Sequence, residues 1–161
     1  MSKLPSADSF DAIYALPTCR FGARSDGEHI NLLAFLPPAA HLQAPTTPLL
    51  KAFGKALHDW LASPDAPLPV THRAKGTAFQ QRVWRAISAI PRGQTRCYGE
   101  LVASAGGTAR AIGQACGANP LPILVPCHRV VAASGLGGFA NASDGWLIET
   151  KKWLLAHEGA L

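Results

Sequence analysis

Residues 98–120 read YGELVASAGGTARAIGQACGANP. Helix-compatible stretches lie on either side of Ala105-Gly106-Gly107, which marks a tight turn. Thr108 suits the N-cap of the second helix, and Gly117 suits its stop. Two short helices joined by a glycine turn are either a hairpin within an ordinary core or a helix-turn-helix that meets DNA. The second helix is almost all small residues, Ala109, Ala111, Gly113, Ala115 and Gly117, with Arg110 alone reaching out. A helix that reads a major groove carries several long polar side chains. This one fits better against a backbone or a narrow minor groove, with one arginine as its probe.

Upstream, Thr77 as N-cap with Gln80 three residues later is a capping-box pattern. Phe79, Val83, Ala86/Ile87 and Ile90 form one apolar helical face, which Pro91 and Gly93 end. Downstream, PLPILVP (120–126) and CHRVVAA (127–133) read as extended, followed by a glycine-rich loop, SGLGGFANASDG. WLIETKKWLLAHEGAL closes the chain as a helix with a basic middle, with Trp146, Ile148/Glu149, Trp153 and Leu154/Leu155 at helical spacing and Gly159 as its stop. The first part, residues 1–75, reads differently. DAIYALPTCRF and HINLLAFLPP suggest strands around a Ser25-Asp26-Gly27 turn. PLLKAFGKALHDWLAS (48–63) has Leu49, Phe53, Leu57 and Trp60 at helical spacing, and SPDAPLPVTH suggests an extended linker. The domain expectation is thus residues 1–75 as a small α/β scaffold and 76–161 as the chemical half.

The 161 residues carry a net charge of +5, unevenly placed. From Gly76 to Arg129 there are six arginines (82, 85, 92, 96, 110 and 129) against one acid, Glu100. Such a stripe suits a polyanion and would make binding salt-dependent, although an ordinary basic surface looks the same. The start, MSKLPSADSFD, lacks the apolar core of a secretory signal, and no apolar run reaches the roughly 20 residues of a membrane span. A cytoplasmic protein with reduced thiols is the expectation. Cysteines 19, 97, 116 and 127 show no metal-ligand spacing, so no metal and no cofactor are expected.

Cys127 sits in the apolar run LVPCHRVVAA (124–133). A lone cysteine in such a run is most often packing. His128 follows it, and on an extended chain would point to the opposite face, leaving a bridging water to carry a proton between them. Glu158, on the last turn of the terminal helix, is a candidate to fix the imidazole tautomer. The nucleophile would be the thiolate, and a cysteine of pKa ~8.5 needs such help to rest ionised.

The run P-C-H-R-V at 126–130 resembles the signature of the O6-alkylguanine-DNA alkyltransferases. So do G-T-x-F-Q-x-x-V-W (76–84), I-P-x-G-x-T-x-x-Y (90–98), A-R-A-I-G (109–113), N-P (119–120) and K-x-W-L-L-A-H-E (151–158), in the family's order. The resemblance implies an α+β protein, with a small N-terminal α/β, ribonuclease H-like subdomain before a winged helix-turn-helix-like, mostly helical domain. It implies a monomer that binds double-stranded DNA through the minor groove and flips out an alkylated guanine. The alkyl group then moves irreversibly to Cys127, with O4-alkylthymine as a further candidate substrate. By the same resemblance His128, Glu158, Tyr98 and Asn119 support the chemistry. Arg110 holds the gap in the base stack, Thr108, Ala109, Arg96 and Tyr98 contact DNA, and Val130, Phe139 and Ala140 line the pocket. The chain departs from the family pattern in its short Ala105-Gly106-Gly107 turn, at Cys97, at Phe139-Ala140-Asn141 and in a longer stretch from Phe139 to Lys151. Three other readings remain from the residues: a damage sensor without chemistry, a cysteine hydrolase using Cys127, His128 and Glu158, and a purely structural DNA-binding module.

Overall fold

The structure is a computed structural model that describes residues 9–161, in which helices and strands are mixed. It divides into two compact units, one ending at Ala74 and the other beginning at Lys75.

In the first unit, β1 (Ala12–Ala15), β2 (Arg20–Ser25) and β3 (Ile30–Leu36) form an antiparallel sheet in that order. Phe21 and Ala23 of β2 pair with Phe35 and Leu33 of β3 and bury their side chains, with Phe21 packed on Phe35 at 5.2 Å between ring centroids. Helix α1 (Pro48–Ala62) covers this face through Leu50, Phe53, Leu57 and Trp60. Leu50, rather than the expected Leu49, is the fully buried residue of its first turn. The stretch 11–21 holds two strands where one was expected. Pro17 has no N–H to give a ladder, and Leu16 N–H turns back onto the Cys19 carbonyl at 2.9 Å. The end of the anticipated linker is tied down too, since Ile30 exchanges backbone hydrogen bonds with Thr71 and Arg73.

In the second unit, Thr77 caps α2 (Ala78–Ser88) as its sequence pattern requires, with both reciprocal bonds to Gln80 present. The strand pair β4 (Arg96–Cys97) and β5 (Val130–Val131) is parallel. Helices α3 (Tyr98–Ala105) and α4 (Ala109–Gly117) flank a turn at Gly106 and Gly107, both with positive φ. At Gly107 a side chain would be strained and would also meet the Phe79 ring at 2.8 Å. Thr108 caps α4 by accepting from the Ala111 N–H. Two bonds fix α2 against this pair: Arg82 Nε donates to the Ala105 carbonyl, and buried Trp84 Nε1 donates to the Ala115 carbonyl at 2.9 Å.

Neither 120–126 nor 127–133 is an extended strand. The first is a closed turn with Ile123 at φ 74° and Val125 N–H bonded to the Leu121 carbonyl. The second opens with a 3-10 turn, Cys127–Arg129, before the two residues of β5. Helix α5 (Trp146–Glu158) closes the unit, and Gly159 caps it in the left-handed conformation. No helix among the described residues is long and apolar enough to cross a membrane.

Trp84→Phe removes the indole N–H together with part of the buried ring and leaves the buried Ala115 carbonyl without its donor. The expected loss is about 1–3 kcal/mol in denaturant unfolding. An unchanged midpoint would show that the bond does not hold α4 in place.

Candidate active site

Asn119 follows α4 and folds the chain around itself. Its Oδ1 accepts from the Leu121 N–H at 2.9 Å, while Nδ2 donates to the Val125 carbonyl at 2.8 Å and to Cys127 Sγ at 3.2 Å. One amide therefore shapes the turn and touches the thiol. The 3-10 turn that follows separates neighbours that an alternating strand would have placed on opposite faces. Cys127, 7% exposed, faces a cavity of about 110 Å³ lined also by Tyr98, Cys116, Gly117, Phe139 and Ala140. His128 lies in the protein interior.

Behind the cavity, His128 Nε2 lies 2.8 Å from Glu158 Oε1. Arg129 grips the same carboxylate, with Nε at 3.0 Å from Oε2 and a terminal nitrogen 2.8 Å from Oε1, and its other end donates to the Ile90 carbonyl. Burial would raise the Glu158 carboxyl, but the hydrogen bonds from His128 and Arg129 outweigh it and bring the pKa down to about 2. Burial, helped by the charges of Arg129 and Lys151, outweighs the pull of Glu158 and lowers the His128 pKa, so the imidazole rests neutral. A carboxylate only accepts, so Nε2 carries the proton and Nδ1 keeps its lone pair. No described group pairs with Nδ1.

Cys127 does not rest as the expected thiolate. Its hydrogen bond with Cys116 and its burial push it well above the ordinary range, against smaller opposing effects of Asn119 and Lys151. The same contact lowers Cys116. The sulfur is therefore a neutral thiol, which would have to lose its proton to act as a nucleophile. Tyr98 is raised to about 12, first by burial and then by the two cysteines, so its hydroxyl stays protonated.

Lys151, which the sequence reading passed over as part of a basic middle, is fully buried. Its Nζ donates to the carbonyls of Val130, Leu136 and Gly138 at 2.7–2.9 Å, three acceptors for three N–H groups. It thereby ties α5 to the strand after Cys127 and to the loop that walls the cavity. Burial lowers its pKa to about 8. That loop turns tightly at Ala140 and Asn141, both at positive φ, between reciprocal bonds of Phe139 and Ala142. Asn141 reaches back to the Gly117 carbonyl, and a Cβ at Gly117 would meet its side chain at 2.3 Å.

Of the residues expected at the site, Cys127, Tyr98, Phe139 and Ala140 line the cavity, Asn119 bonds to the Cys127 sulfur, and His128 and Glu158 pair behind it. Val130 does not line it. Its side chain is fully buried, and its contribution is the carbonyl that Lys151 holds. Thr108, Ala109 and Arg110 are exposed at the start of α4, away from the cavity lining. Arg96 folds back onto the Thr95 carbonyl and Gln94. Arg129 leaves the basic stripe altogether, because its charge is spent on Glu158.

Residues 78–160 match the family model described as the 6-O-methylguanine DNA methyltransferase, DNA binding domain. The chain belongs to this family. Among curated members, the methylated-DNA–protein-cysteine methyltransferase of Mycobacterium tuberculosis (strain ATCC 25618 / H37Rv) is 59% identical over 84 residues, 48% of this chain and 50% of that protein. The protein of the same name from Salmonella typhimurium is 52% identical over 89 residues, 53% of this chain and 49% of its own length. The chain thus spans about half the length of these methyltransferase relatives. Over the whole fold it is similar to a crystal structure of Mycobacterium tuberculosis OGT in complex with DNA, at a TM-score of 0.75 and 33% identity, covering 92% of this chain and 91% of that one.

Acidification should destabilise this member of the methyltransferase family in two stages. Folded His128 resists the proton that an unfolded histidine takes up near 6.5, so the first loss begins as pH falls through that value. Folded Glu158 stays ionised to about 2, whereas its unfolded value is 4.5, so a second loss accumulates as pH falls between these limits. Denaturant midpoints across this range report both, and Glu158→Gln should remove the second stage. A flat profile in the native protein would contradict the assigned charge states.

Proposed function

We propose that this protein repairs alkylated DNA by direct reversal, taking the alkyl group from O6-alkylguanine onto Cys127 once per chain. The observation that carries this reading is a single arrangement. A thiol at the wall of a small cavity accepts a hydrogen bond from Asn119, and a neutral histidine oriented by a buried carboxylate lies behind it.

The alkyl carbon on O6 lies inside the base stack, so the nucleotide is turned out into the cavity at a cost of a few kcal/mol. Arg110, exposed on the first turn of a helix of small residues, fills the gap while that helix lies in the minor groove. Thr108, Ala109 and Arg96 accompany it along the DNA backbone. Cys127 Sγ then attacks the alkyl carbon in line. The S–C bond forms, the C–O6 bond breaks, and the thiol proton passes through a water to His128 Nδ1. Asn119 donates to the sulfur as negative charge develops on it. The leaving guanine gains charge in turn, and the protonated Tyr98 hydroxyl donates to it. Backbone groups at Phe139 and Ala140 complete the wall. O4-alkylthymine presents the same alkyl–oxygen bond and is the second substrate of this reading.

The product is a thioether, which has no good leaving group, so nothing regenerates the thiol. The protein acts as a monomer, with every group named here drawn from residues 76–161 and residues 1–75 serving as a scaffold.

Intact-protein mass spectrometry after mixing with duplex DNA containing O6-methylguanine should show one added methyl, located on Cys127, and none on Cys127→Ser. Repair of more than one lesion per chain would overturn the self-consuming mechanism. Arg110→Ala should slow repair in duplex DNA by roughly tenfold or more, because each 1.4 kcal/mol of lost flipping assistance is a factor of ten. Reaction with the free alkylated base should be untouched. Equal slowing of both substrates would remove Arg110 from the flipping step.

A further inference from the structure

The cavity holds a second sulfur. Cys116, on the last turns of α4, lines the same small space as Cys127, close enough for each thiol to shift the other's ionisation. Their backbones are held independently. The Ala115 carbonyl next to Cys116 is fixed by Trp84, and the Cys127 turn is fixed by Asn119. Two thiols that share a cavity of about 110 Å³ face each other across a short gap, and a disulfide between them requires Cβ atoms about 3.5–4.5 Å apart. The two differ in access, with Cys116 half-buried and Cys127 buried. They also differ in charge preference. The neighbouring Cys127 thiol, and then the Lys151 ammonium, favour the Cys116 thiolate against its partial burial. Cys19 is buried in the other unit, and Cys97 sits at the start of α3 outside the cavity lining.

We propose that Cys116 is a second reactive thiol of this site, which a small hydroperoxide oxidises and which then closes a disulfide onto Cys127, reversibly withdrawing the acceptor sulfur. In the first step the Cys116 thiolate attacks the terminal peroxide oxygen. The S–O bond forms, the O–O bond breaks, and the sulfur loses two electrons to the departing alkoxide or hydroxide. In the second step Cys127 Sγ attacks the Cys116 sulfenic acid. The S–S bond forms, the S–O bond breaks, and the leaving hydroxide takes the Cys127 proton as water. Overall, two thiols and one hydroperoxide give a disulfide, an alcohol or water, and one further water. A dithiol reverses the bond by exchange. A low-pKa thiol beside a resolving cysteine is the arrangement that oxidation stops at a disulfide rather than at an irreversible acid.

The loss of acceptor capacity rests on the reading of Cys127 above, whereas the disulfide does not. The test treats the full chain with a small excess of hydrogen peroxide, blocks free thiols under denaturing conditions, and digests with trypsin. Residues 111–129 contain no internal lysine or arginine, so both cysteines fall on one peptide. That peptide should become lighter by about 2 Da and refuse the blocking reagent. Methyl uptake from O6-methylguanine duplex should be lost in parallel, and dithiothreitol should restore both. In Cys116→Ser no such peptide forms, and any uptake lost relative to its own untreated sample is not regained with dithiothreitol. Sulfinic or sulfonic acid on Cys127 of the native chain, without the 116–127 disulfide, would overturn the proposal. A disulfide in a protein that takes up no methyl group before treatment would sustain the proposal and sink the repair reading instead.

Discussion

Glu158 is a carboxylate with its side chain only 2% exposed, and the active half is arranged around keeping it charged. An ion so placed is tolerated only where partners replace the lost water. Arg129 supplies two hydrogen bonds and the opposite charge, and His128 supplies a third bond. Because Arg129 already balances the charge, His128 has no need to be protonated, and it stays neutral with Nε2 turned to the carboxylate. The interaction thus does two things at once. It anchors the turn that carries Cys127 to the last residue of α5, and it leaves the other imidazole nitrogen free to receive a proton.

The same helix delivers the second anchor. Ile148, Lys151, Leu155 and Glu158 recur on one buried face of α5, so an ammonium and a carboxylate enter the interior from one rod two turns apart. Lys151 holds three carbonyls around the cavity wall, and Glu158 holds the turn behind it. Part of the cavity wall is therefore backbone clamped from within, set beside the Tyr98 and Phe139 rings. Its neutral thiol differs from the poised thiolate of many cysteine nucleophiles. On the proposed reading Cys127 ionises only as it attacks, with Asn119 donating to the sulfur and His128 taking the proton.

Much of this was legible in the residues. Thr77 with Gln80, Thr108, and Gly106-Gly107 announced the starts and the turn of the helices, because caps and positive φ are local requirements written in single residues. Cys127, His128, Glu158, Tyr98 and Asn119 were legible as a set through their motifs. The turns at 120–129 were not, because an apolar run looks the same whether it is extended or wrapped around an asparagine side chain. Arg129 was misread as surface charge, since its partner lies 29 residues away and its surroundings are set by tertiary packing. Lys151 was missed although a signal existed: it falls in register with Ile148, Leu155 and Glu158, and its neighbour Lys152 masked that position. Cys116 offered nothing in sequence to separate it from any other small residue on α4.

The tautomer of one imidazole tests the whole arrangement most directly. Nitrogen-15 NMR of His128 in the reduced, DNA-free protein at neutral pH should show a neutral ring with its proton on Nε2 and an unprotonated Nδ1. An imidazolium, or a neutral ring protonated on Nδ1, would mean that Glu158 does not prepare a base for Cys127, and the proton path would have to be drawn elsewhere.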